Sequence, residues 1–138
     1  MNKWMILSLS AACAATVPLG VVAAEDALSQ QVRTAQEHAQ LAAAADSLDM
    51  TRTHLHHVIN CLVGEDGEDF DADAGNPCDG MGAGALPDSK GAEGAHDKLQ
   101  TALADLRSAL DEDDQEAVQK TADQVAQALA DADDALRN

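Results

Sequence analysis

Aromatic residues are almost absent from this chain: among 138 residues there is one Trp, one Phe and no Tyr. Any core must therefore be assembled from Leu, Val, Ile and Ala. Alanine is the most abundant residue and the strongest helix former. The β-branched and aromatic residues that favour strands are scarce. The fold class expected is all-α.

Helical periodicity confirms the direction of that argument in four places. Leu28, Val32, Ala35, Ala39 and Ala42 repeat at steps of four and three. Leu48, Leu55, Ile59 and Leu62 do the same, with Thr51 and Val58 filling the stripe. Leu99, Leu103, Leu106 and Leu110 form a third stripe, and Val118, Ala122, Val125, Leu129, Ala132 and Leu136 a fourth. The acidic run Asp111 to Asp114 separates the last two, and Asp113 with Glu116 reads as a capping-box-like helix start. Those two helices form a hairpin.

No Gly or Pro divides residues 26–63, yet one helix of that length would be far above the usual mean. Laying Cys61-Leu62 over Ala128-Leu129 also aligns Val58 with Val125, Leu55 with Ala122 and Asp46 with Asp113. The first half then reads as a weak copy of the second, with a turn near Asp46–Asp49. The expected architecture is an up-down-up-down four-helix bundle of two hairpins. The alternative is a three-helix bundle with a long first helix.

Residues 64–90 have a different composition, rich in Gly and in acids from Glu65 to Asp73, with Pro77 and Pro87. This segment reads as a long loop between the hairpins. The first 24 residues read as a signal peptide: Lys3 supplies positive charge, Trp4 to Val22 are uncharged, and Val22-Ala23-Ala24 suits signal peptidase. A retained anchor or lipidation at Cys13 are the alternatives. Cleavage after Ala24 leaves one domain, residues 25–138, with two cysteines. In an oxidising compartment Cys61 and Cys78 would pair and staple the loop to the second helix. The chain-entropy gain is about 3 kcal/mol. A periplasmic or secreted location follows, with no stable membrane association after cleavage.

All 25 acids lie in the exported part against seven Lys and Arg, a net charge near −18. Such a surface repels nucleic acid and anionic membrane and draws cations or basic partners. No Ser-His-Asp order, phosphate loop or zinc-protease motif occurs, so no enzyme is indicated. The oligomeric state is left open.

Five histidines are the informative polar residues: His38, His54, His56, His57 and His96. On a helix His54 and His57 are one turn apart and Cys61 one turn further, so all three share a face. A bridge at Cys61 would bring the acidic loop near that face. Two imidazoles at this spacing, with His38, His56 or a loop carboxylate completing the shell, can bind Cu, Ni or Zn. The competing reading makes His54 and His57 surface groups or partners of loop carbonyls. His96 is expected to be solvated at a helix start.

Asp69 to Asp73 resembles the opening of a calcium loop, but Ala74 stands where the EF-hand needs Gly and Gly80 where it needs Glu. No Cys-x-x-Cys-His is present, and haem is not expected. Met50 and Met81 are too few to argue a copper(I) thioether site from sequence.

The segments Glu37-His38-Ala39 and Thr53-His54-Leu55-His56-His57-Val58 resemble the small periplasmic metal-binding proteins of bacteria, which are His-containing four-helix bundles. The resemblance implies binding of a divalent metal, copper or nickel among them. The function expected is an exported protein that buffers or sequesters Cu, Ni or Zn through His54, His57, His38 and His56. The alternative is a non-catalytic periplasmic interaction or stress protein whose disulfide loop docks a partner.

Overall fold

The structure, a computed structural model, describes residues 19–138, with side chains from Ala27 onward. The greater part of the expected signal peptide, with Lys3, Cys13 and Pro18, lies outside the described residues. Five helices and no strand are present among those described: α1 (Leu19–Ala43), α2 (Leu48–Val63), α3 (Ala85–Asp88), α4 (Glu93–Leu110) and α5 (Gln115–Leu136). None is long and apolar enough to cross a membrane.

The chain breaks between α1 and α2 at residues 44–47, so residues 26–63 are not one long helix. Ser47 makes the restart: its extended backbone places Oγ to accept from the Met50 N–H at 3.2 Å. Asp114 does the same for α5, accepting from the Ala117 N–H at 2.8 Å. The cap expected at Asp113 is thus one residue later. Asp113 is instead drawn sideways to Arg52, 2.9 Å away, while the Asp114 backbone takes the extended geometry a cap requires. Ser47 and Asp114 keep the register of the internal overlay.

The four apolar stripes meet in one core. Val32, Ala35, Ala39 and Ala42 of α1 are fully buried, as are Leu55, Val58, Leu62, Leu99, Leu106, Val118, Val125 and Leu129. The alanine seam lets α1 lie close to its neighbours, and the larger Leu and Ile side chains of the other helices fill the volume. α1 packs between α2 and α5, and α4 packs on α5. Polar ties hold both ends of the α1–α5 pair. Ser29 Oγ donates to buried Asp133 at one end, and Gln115 and Gln119 donate to the Ala45 carbonyl at the other (3.3 and 2.6 Å). α1 and α5 therefore run in opposite directions.

Residues 64–92 are turns around the single turn α3. Cys61 and Cys78 stand at bonding distance with Cα atoms 5.2 Å apart, the separation expected of a disulfide. A second tie is steric. Gly64 (φ +72°) and Gly84 (φ +114°) pass so closely that a Cβ on Gly64 would sit 1.9 Å from the Ala83 carbonyl oxygen. Only glycine serves at this crossing.

Candidate metal centre

α2 carries His54 and His57 one turn apart, on the face the spacing predicts. The α1–α2 turn folds His38 back onto the same level. Three imidazoles then converge: His38 Nδ1 lies 3.3 Å from His54 Nδ1 and 3.2 Å from His57 Nδ1. Their ring centroids are 4.7–5.6 Å apart. A nitrogen from each of the three lies within 4.8 Å of one from both others, close enough that one metal ion could be held between them. All three side chains are half-buried.

The disulfide loop orients one ring. His57 Nε2 is 2.7 Å from the Ala74 carbonyl oxygen, which can only accept, so Nε2 carries the proton and donates. His57 Nδ1 is then left with a bare lone pair facing His38. An outward N–H bound to a carbonyl is the usual support of a metal-binding imidazole.

Ala74 is held in turn by buried Asn60. The Asn60 amide donates to the carbonyls of Asp71 and Gly75, both at 2.7 Å, and its Oδ1 accepts from the Asp71 N–H at 2.9 Å. Asp71 Oδ1 closes the turn by accepting from the Asp73 and Ala74 N–H groups.

Electrostatics favour the neutral form of His38 and His54. Burial, and then the neighbouring His57 and His54, hold His38 below the ordinary imidazole value of 6.5, with Glu37 opposing weakly. Burial and then His57 lower His54 in the same way. Neutral imidazole is the form that binds metal.

Not every candidate joins. His56 is one residue from His57 and so about 100° around the helix. It faces Asp71, with Nδ1 3.4 Å from Oδ2 in a geometry that makes no hydrogen bond. No loop carboxylate enters the cluster among the described residues. Asp69 is taken by Arg107, and Asp71 by its own turn and by the approach of His56, so the calcium-like run gathers no set of free carboxylates. His96 is half-buried rather than solvated. Gln100 donates to its Nε2 at 3.1 Å, so its Nδ1–H turns to Ser89 Oγ at 2.8 Å.

A polar cleft of about 180 Å³ lies against the disulfide, lined by Cys61 and Cys78 together with Gln31, Asn60, Glu65 and Asp79 among others. None of the three histidines lines it, and the convergent donors make the triad the better candidate site. No spacing rule along one helix assigns His38. Reflecting α1 onto α2 about the turn at 44–47 sets residue 38 opposite residues 53 and 54, and that reflection is the signal that locates it.

Compared with known proteins, the chain matches no family model, no curated protein and no solved structure.

Proposed function

We propose that this chain is an exported, non-catalytic protein that buffers or sequesters a transition metal ion at His38, His54 and His57. Its frame is an up-down-up-down four-helix bundle. The direction of the frame is supported by the α1–α5 ties and by Arg52, near the start of α2, donating to the Glu112 carbonyl of the α4–α5 turn at 2.8 Å. Export rests on the leader pattern of residues 1–24.

One observation carries the metal reading: the Nδ1 spacings of 3.2 and 3.3 Å. Nitrogens bound at 2.0–2.1 Å to a tetrahedral ion lie about 3.3–3.4 Å apart. Adjacent ligands in a square plane would be about 2.8–3.0 Å apart at the same bond length. The two separations from His38 therefore suit tetrahedral Zn(II) better than neighbouring positions of square-planar Cu(II) or Ni(II). The acidic surface raises the local concentration of cations without choosing among them.

The test is calorimetric titration of the oxidised protein with Zn(II), Cu(II) and Ni(II). Micromolar or tighter Zn(II) binding is expected. It should be lost in the His38→Ala/His54→Ala/His57→Ala variant and kept in His56→Ala. Weak binding indifferent to the triple substitution overturns the reading.

A further inference from the structure

The described residues hold two methionines, Met50 on α2, which also carries His54 and His57, and Met81, whose Sδ meets Thr34 on α1, the helix of His38. Met50 precedes His54 by one helical turn and His57 by two. The three side chains fall within about 60° of arc on α2. Side chains on a helix lean toward its N-terminus, so the His54 imidazole leans over the turn that carries Met50 and the His57 imidazole over the turn of His54.

Met50 is also 51% exposed, one of two large apolar side chains left open to solvent among the described residues; the other is Leu41, one turn after His38. An unbranched thioether in the open, one helical turn from the nearest of the three imidazoles, is free to swing. Met81 is committed elsewhere. It packs against the core, and its Sδ is 3.9 Å from the hydroxyl of Thr34, one turn before His38.

Resting on the metal reading of the triad, we infer that Met50 Sδ is the fourth ligand of this site, and that the set of three imidazoles and one thioether takes Cu(I). Thioether sulfur is a soft donor that favours Cu(I) over the harder divalent ions. Cu(I), like Zn(II), has a filled d shell and accepts the separations of 3.2 and 3.3 Å that His38 Nδ1 keeps from the other two Nδ1 atoms. Zn(II) gains little from a thioether and would hold water in the fourth position. Binding requires no electron transfer when the ion is supplied as Cu(I).

The test is competition for Cu(I) against the chromophoric chelator bathocuproine disulfonate, without oxygen, using the oxidised full chain. Met50→Leu keeps the volume and removes the sulfur. It should weaken Cu(I) binding at least tenfold while Zn(II) affinity stays within twofold. X-ray absorption of the Cu(I) complex should find one sulfur beside the nitrogens, absent in Met50→Leu and retained in Met81→Leu. Unchanged Cu(I) affinity in Met50→Leu, a copper spectrum without sulfur, or loss in Met81→Leu instead overturns the assignment of Met50. The triple histidine variant separates the two readings: metal binding that depends on the histidines but not on Met50 removes only this inference, and binding that ignores the histidines removes both.

Discussion

Asn60→Ala is the most informative single change, because one buried side chain supports both the loop and the ring that the loop orients. Asn60 is 1% exposed and makes three hydrogen bonds to loop backbone, at 2.7, 2.7 and 2.9 Å. Each is worth about 1 kcal/mol net, and a buried backbone group left without a partner costs about 1–3 kcal/mol. Asp71 is only half-buried and Gly75 is exposed, so water can reach parts of the broken network. The expected loss is about 2–4 kcal/mol, a large share of the 5–15 kcal/mol typical of a domain.

Far-UV circular dichroism in urea is the suitable assay, since Trp4 is the only Trp and there is no Tyr to report by fluorescence. With a slope of about 1–3 kcal/mol per molar urea, the midpoint should fall by roughly 1–2 M. Ala74 lies between the two residues that Asn60 holds. Its carbonyl should lose its fixed aim at His57, and Zn(II) affinity should fall about 10-fold or more, as for other outer-shell partners. A stability loss under about 1 kcal/mol would refute the accounting of the network. A full loss of stability with unchanged Zn(II) affinity would refute the claim that the loop orients His57.

Three further outcomes follow from the same geometry. Reduction of Cys61–Cys78, which closes a loop of 17 residues, should lower stability by about 3 kcal/mol in urea titrations with and without reductant. Gly84→Ala should destabilise far more than Gly80→Ala by urea midpoint, because a Cβ at Gly84 would lie 2.6 Å from backbone of Val63 and Gly64 whereas one at Gly80 meets nothing within 4 Å; equal effects would show that the crossing can open. The depressed His38 and His54 favour the folded state fully above the unfolded value of 6.5, and that contribution is lost as pH falls through their lowered values. Acid titration of the metal-free protein should show stability falling below pH 6.5, and Zn(II) affinity falling over the same window.

The apolar pattern was legible because each helix buries one stripe and the stripes are regular. Every residue read into the first stripe, from Leu28 to Ala42, is buried. The positions of Ser47 and Asp114 followed from the overlay of the two halves to within one residue. The cap itself was misread at Asp113, since Asp111 to Asp114 are chemically near-equivalent and only the local backbone decides which one caps. The loop between α2 and α4 was read as irregular. Its turn α3 was not anticipated, because a four-residue helix carries no periodicity to detect. His96 was misread for a related reason: Ser89, which half-buries it, belongs to that same segment.

Within the candidate site, the sequence distinguished His54 and His57 from His56 only by helical phase, and that sufficed to predict which face they share. It offered His38 only beside His56 and a loop carboxylate as ways to complete the shell, because His38 joins through the length of a turn rather than through spacing along one helix. Nor could it say which loop atom would meet His57. That depends on Asn60 gripping residues 71 and 75 and on Cys61 gripping Cys78, so that the carbonyl of residue 74 is left facing inward. The two constraints act on different parts of the loop. The disulfide shortens the excursion of the unfolded chain, whereas the Asn60 amide fixes the orientation of individual carbonyls in the folded one. A fully buried amide spending all three bonds on the backbone that aims one imidazole makes sense where the direction of that imidazole matters, and a metal ion is the ligand most sensitive to such a direction.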